Sequence, residues 1–379
     1  MNFLIDQYAF KNALQKVEMG IDRKPTNPMY GGIYIQAQND SLILMTNDMD
    51  MAVRYRVSNV NVNEPGWAVI PGRELVDIVK DLEADAVTFC LVKEKLVELK
   101  GGTDKFTLST LDSHKSSDAD SPESFPIAPE CTNDPDVVMS KGDFLSMVNS
   151  TRFATSKVQN SRFATEGILI EIKDEKATMV GTDGRRLACI ARETTQSTNE
   201  THKAVLLPKV LDQIYRFGQE EDGNEISIWY LGNLVGFKIG NLESFGRILT
   251  GEFPEYSQVL DKSGSNYARV SRESFSRKIK LASHLTSDAS ASVILKFSEN
   301  NLEISSNKDG RGNAEVNFEI DYSGRNIDTS FNPSFISEGL KVAHNDNINV
   351  YIEDGSTPAK FSLGDDFIYI VMPLSKVPN

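Results

Sequence analysis

The residues most able to do chemistry are three cysteines and four histidines, and their spacing argues against chemistry. Cys90, Cys131 and Cys189 form an odd, widely separated set with no Cys-x-x-Cys pair, so neither a disulfide framework nor a zinc site is indicated. His114, His202, His284 and His344 are equally scattered, without an HExxH and without a neighbouring nucleophile. Carboxylates such as Asp183 and Glu252 keep a β-rich hydrolytic enzyme open as an alternative, but neither has a second carboxylate at a telling spacing. The expectation is a protein with no metal, no cofactor and no catalytic constellation.

With 379 residues, 40% of them hydrophobic and 25% charged, the chain is long enough for two or three globular domains. The N-terminus MNFLIDQYAFKNALQKVEMG has acidic and amide residues where a signal peptide needs an apolar core, and no run approaches a membrane span. A cytoplasmic location and no membrane partner are the expectation. The net charge of −14 argues against nucleic acid only if charge is spread evenly.

The elements that would position any site repeat three times. Gly32-IYIQAQNDSLILMTND, Gly167-ILIEIKDEKATMVGTD and Ser292-VILKFSENNLEISSNK each read as a β-hairpin, with Ile33/Ile35, Ile168/Ile170/Ile172 and Val293/Leu295/Phe297 on one face. Upstream of each lies a helical stripe: Phe10/Ala13/Leu14/Val17, Phe144/Leu145/Val148 and Phe275/Ile279/Ala282. The second is announced by Ser140-Lys-Gly-Asp143, a capping-box pattern. Hairpins are offset by 135 and 125 residues and helices by 134 and 131, so the two registers agree.

Downstream, a second helix opens each time at a proline: Pro71, Pro208 and Pro333. More strands follow, including Phe106–Leu111, Phe245–Leu249 and Phe367–Leu374. Each unit is two similar halves, and three units make an α+β chain with expected domains 1–134, 135–265 and 266–379. The aperiodic stretches His114–Asp136 and Asp261–Asn266 mark the boundaries.

Counted over six helical windows, 76 residues carry +5, leaving −19 on the rest. An acidic shell around a mildly basic helical surface suits a protein that tolerates phosphates without gripping them.

Over essentially its whole length the chain resembles the beta subunit of bacterial DNA polymerase III, the sliding-clamp family. Thr182-Asp183-Gly184-Arg185-Arg186-Leu187-Ala188, Gly251-Glu-Phe-Pro254-Glu-Tyr256 and the ending Tyr369-Ile-Val-Met-Pro373-Leu374 carry the resemblance, with Arg73 after Pro71-Gly72 and Lys24-Pro25-Thr26. It implies the DNA clamp fold, each of three domains having two helices on antiparallel sheets. It also implies a head-to-tail homodimeric ring, helices inside, that binds duplex DNA without sequence preference and acts as a non-catalytic processivity factor.

A peptide pocket for the replicative polymerase, the clamp loader and repair proteins is implied at Arg162, Thr182, Gly184, Arg186, Leu187, Pro254, Val259, Ile370, Val371, Met372, Pro373 and Leu374. There Arg162 and Arg186 are expected to bond peptide carbonyl or acidic groups. DNA contacts are implied at Lys24, Arg73 and Gln159, with Arg152 and Lys157 beside them. The ring seam is implied at Phe106, Leu108 and the region of Leu285. Thr165, Gln258 and Arg185 depart from the family pattern, and the chain continues past Leu374 to Asn379. A scaffold that uses the same slot and never meets DNA is a further alternative.

Overall fold

The computed structural model describes residues 1–114, 122, 125–158, 163–198, 200–261, 266–286, 291–308 and 310–374. Two expected site residues, Gln159 and Arg162, and the tail 375–379 lie outside them. Seven helices occur among the described residues: α1 Gln7–Val17, α2 Gly72–Asp81, α3 Lys141–Thr151, α4 Pro208–Gly218, α5 Ser257–Asp261, α6 Arg272–Ser283 and α7 Pro333–Val342. All but the short α5 follow the periodicity in the sequence.

Their starts have local causes. Asp6 accepts a hydrogen bond from the Ala9 N–H at 2.8 Å, and Asn332 caps α7 just before Pro333. Ser140 Oγ accepts the Asp143 N–H at 3.3 Å, one half of the expected box. The stripes Phe10/Ala13/Leu14/Val17 and Phe275/Ile279/Ala282 are buried.

The strands repeat one order six times. Strand 66–71 pairs with 32–38, then 41–47, then 51–57, and the same order recurs as 202–206, 168–173, 176–182, 186–193 and as 327–331, 293–298, 301–308, 312–319. The other halves run 2–6, 86–93, 96–101, 104–109, then 137–140, 225–231, 234–239, 242–247, then 266–271, 347–352, 359–364, 367–371. Each motif ends in a fourth strand that has one neighbour inside the motif.

Chain contacts group into two compact units. In the first (1–145, 194–198, 209–248), fourth strands 51–57 and 242–247 pair antiparallel, Phe245 opposite Ala52, and fuse two motifs into a ten-stranded sheet. In the second (146–193, 199–208, 249–379), strands 186–193 and 367–371 pair in the same way, Leu187 opposite Ile370, to give an eight-stranded sheet.

Several strands stop earlier than their apolar runs. The ladder of 367–371 ends before Pro373, which has no N–H to donate. Strand 104–109 ends because the Leu111 N–H turns to Val69 O at 2.8 Å. Part of the aperiodic stretch is core: Phe125 and Ala128 pack with Tyr34, Trp67 and Phe245, the Phe125 and Tyr34 rings 5.6 Å apart.

One cation counted on the helical surface is internal. Lys16 of α1 is 3% exposed and pairs with Glu221, while Tyr55 Oη accepts a second bond at 3.1 Å. Burial pulls the ammonium pKa down, but the bonds to Glu221 and Tyr55 outweigh it and hold it above the usual 10.5. Lys16's share of stability is therefore complete below pH 10.5 and is lost only at more alkaline pH. Replacing Glu221 with Gln strands a buried ammonium, and should lower unfolding free energy by about 3 kcal/mol in urea titration at neutral pH. An unchanged midpoint would show that the pair is solvated.

Candidate functional site

The second unit holds the site around the turn between strands 176–182 and 186–193. Gly184 takes φ +82°, a conformation that strains any side chain. Asp183 closes the turn by accepting the N–H groups of Arg185 and Arg186 at 2.9 and 3.0 Å. Thr182 Oγ1 donates to Arg186 O at 2.7 Å and accepts from Gly184 N at 3.1 Å. Asp183 thus holds a turn, and an acid role for it has no support.

Leu187, Cys189, Val180, Leu169, Val205, Ala164 and Ile370 form one apolar cluster on a face of the eight-stranded sheet. Phe253, Tyr256, Val259 and Leu260, from the segment that includes α5, pack over it. Tyr256 is fixed by a 2.7 Å bond to Glu171. Of the expected slot residues, Leu187, Val259 and Ile370 therefore meet in this cluster. Val371, one residue further on, is fully buried and belongs to the opposite face, as strand alternation requires. Pro254, Pro373 and Leu374 are half-buried, and Met372 is 42% exposed, its N–H on Arg185 O at 2.8 Å.

Arg186 is 8% exposed, and every guanidinium nitrogen is engaged. Nε donates to Asp183 Oδ2 at 3.1 Å, Nη1 to Glu338 and Nη2 to Phe153 O at 2.8 Å. The Phe335 and Phe153 rings lie 4.5 and 5.5 Å from its central carbon. Tyr369 Oη donates to Phe335 O at 2.9 Å and steadies that ring's helix. Sequence reasoning missed Phe153, Phe335 and Glu338. Only the i, i+3 spacing of Phe335 and Glu338 on α7 could have drawn attention to them.

The expected DNA residues are surface groups within each unit. Lys24 is exposed, and exposed Arg73 lines clefts shared with Arg23. In the second unit Arg152 is half-buried, with Nη2 on Asn149 Oδ1 at 3.3 Å, and Lys157 is exposed. There α6 and α7 also form a cleft lined by Arg272, Arg277, Lys280 and Lys341, with Glu273 and Asp346 as counter-charges. Phe106 and Leu108 are half-buried on a sheet-edge strand of the first unit, and Leu285 is half-buried after α6 in the second. No cluster of three metal-ligating side chains occurs among the described residues.

Sequence profiles described as the N-terminal, central and C-terminal domains of the DNA polymerase III beta subunit match residues 1–117, 139–255 and 257–375. The chain belongs to the DNA polymerase III beta subunit family. The beta sliding clamps of Pseudomonas aeruginosa and Escherichia coli K12 are each 25% identical over 376 residues, covering 99% of this chain and 100% of theirs. The crystal structure of the P. aeruginosa subunit superposes with a TM-score of 0.89 at 25% identity, covering 99% of this chain and 100% of that one. The Bacillus subtilis clamp, at 21% identity, shares the fold with a TM-score of 0.91 and complete coverage of both chains. Sliding clamps are non-catalytic, and this agrees with the structural work that Asp183 performs.

Burial pushes the Cys189 thiol up to about 12. At pH 8 it should resist Ellman's reagent in the folded protein and react once urea exposes it. Fast labelling of Cys189 in the native state would show that the apolar cluster opens.

Proposed function

We propose that two copies of this chain join head to tail in a ring that encircles duplex DNA and holds the replicative polymerase on it. The observation that carries this reading is a pair of bare edges. Of the six fourth strands, 51–57 pairs with 242–247 and 186–193 with 367–371, whereas among the described residues 104–109 and 312–319 end their sheets without an outer partner. Long exposed edges invite pairing, and a second copy offers each edge the partner that the repeat calls for. Phe106 and Leu108 lie on one of these edges, with Leu285 contributing nearby. The domains are 1–134, 135–265 and 266–379.

The repeat also supplies a register. The turns at Gly101/Asp104 and Ile239/Leu242 correspond, as do the pairs Asn47/Ala52 and Asn307/Asn313. Where the first joint sets Arg54 opposite Glu243, with an ion pair at 2.7 Å, the bare edges carry Glu315 and Lys105. The same register brings Phe106 to Ala314.

Lys24, Arg73, Arg152 and Lys157, with Gln159, meet DNA phosphates loosely enough to permit sliding. The cluster of Leu187, Val259 and Ile370, rimmed by Thr182, Gly184, Pro254, Met372, Pro373 and Leu374, takes short peptide motifs of the polymerase, the clamp loader and repair proteins, and Arg162 adds to its wall. Tethering keeps the polymerase concentrated at the primer end. The place of work is the cytoplasm; no helix among the described residues is long and apolar enough to cross a membrane.

Two measurements test this. After loading by a clamp loader at a few hundred millimolar salt, the protein should stay on circular DNA and run off linear DNA; equal escape refutes the ring. Lys105→Glu and Glu315→Lys should each weaken the dimer about fivefold, and the double variant should recover most of the loss. Additive losses in the double variant would refute the register.

A further inference from the structure

Residues directly opposite one another on antiparallel strands share a face of the sheet, so strand register shows how far the floor of the slot extends. Leu187 stands opposite Ile370, and on its other side Ile370 stands opposite Lys360. Lys360 in turn faces Tyr351, and Tyr351 faces Tyr267. One row therefore crosses five strands, from the apolar cluster to the last strand of the eight-stranded sheet. Arg186 is not part of it. It stands opposite Val371, one residue out of step with Leu187 and Ile370, so the expected slot arginine lies on the other face.

Lys360 is the first cation along the row. It is half-buried, and its Nζ donates to Leu260 O at 2.9 Å, in the segment that packs over the cluster. The same ammonium lies 6.0 Å from the centre of the Tyr351 ring. An ammonium has three donors, so two remain for a ligand. Past it the face opens to solvent, with Tyr267 55% exposed and its ring 5.9 Å from that of Tyr351.

Charge on this part of the sheet is one-sided. Strands 266–271, 347–352, 359–364 and 367–371 contain Arg269 and Lys360 and no acidic residue, in a chain whose net charge is −14. Arg269 is exposed and, two residues from Tyr267, shares its face. The carboxylates that follow Tyr351 are engaged elsewhere: Glu353 pairs with Arg325, and Asp354 accepts the N–H groups of Ser356 and Thr357 at 2.7 and 2.9 Å. On the cluster side, Glu171 accepts the Tyr256 hydroxyl.

We infer that the slot continues along this row and that Lys360 receives a carboxylate of the bound peptide, one or two residues beyond the side chains seated on Leu187 and Ile370. The spacing sets that distance, because neighbouring strands lie about 4.8 Å apart and an extended peptide advances about 3.3 Å per residue. The inference rests on the reading of the cluster as a peptide slot, and it names what that slot selects.

The test uses fluorescein-labelled octapeptides with a central leucine pair and a single Asp or Asn placed at each remaining position in turn. Binding to the full-length protein is read by anisotropy. Within two residues of the leucines, at one position, Asp should bind about fivefold more tightly than Asn, the size of a partly screened charge contact. Lys360→Met keeps the stem and removes the charge, so it should bring that ratio close to one while the Asn peptides bind as before. Lys360→Glu should invert the preference, and molar salt should abolish it in the wild type. Arg185→Gln, on the turn beside the slot, should leave the ratio intact. Thermal melting confirms that each variant is folded. If the Asn peptides bind but no position favours Asp, or the preference survives both Lys360 variants, this inference is overturned and the slot stands. Failure of every peptide to bind the wild type removes the slot reading and this inference with it.

Discussion

An antiparallel strand with one bare edge must find a partner, and most of this molecule follows from that requirement. Each four-stranded motif ends in a strand whose outer N–H and C=O groups are unpaired within the motif. In the second unit that need is met by joining 186–193 to 367–371, segments about 180 residues apart in the chain. The apolar cluster is a by-product of the joint. Leu187 and Ile370 face each other across it, and the apolar cluster exists only while the two strands are hydrogen-bonded.

The same joint creates an electrostatic problem and its solution. Arg186 begins its strand inside the packed region, where an unpaired charge would cost several kcal/mol. Two carboxylates, a carbonyl and two ring faces satisfy it. Because Asp183 also closes the Gly184 turn, charge and turn geometry depend on one another. The result is a rigid charge network on the face of the sheet opposite Leu187 and Ile370.

Elsewhere charge is spent on structure more than a count of helical residues implies. Lys16 is buried against Glu221 and Lys209 is held by Asp48 and Asp50, three carboxylates outside the helical residues counted. The helical excess of +5 is therefore blunted. A blunted excess fits the loose, salt-sensitive hold that sliding on DNA requires.

Much of this was legible in the residues. Period-2 and period-3.6 patterns are local, so the hairpins at Ile33, Ile168 and Val293, the six longer helices and the twofold division of each repeat could be read directly. The short α5 was not, because five residues carry no period. Val371 shows the limit on the site: next to Ile370 in an apolar run, it faces the other side of the sheet, and which side is core depends on the partner strand. The sequence by itself determined the repeat, the elements and the lack of catalytic spacing. Tertiary structure alone decided which edges pair and which arginine is buried against Glu338, since those outcomes rest on contacts between residues more than a hundred positions apart.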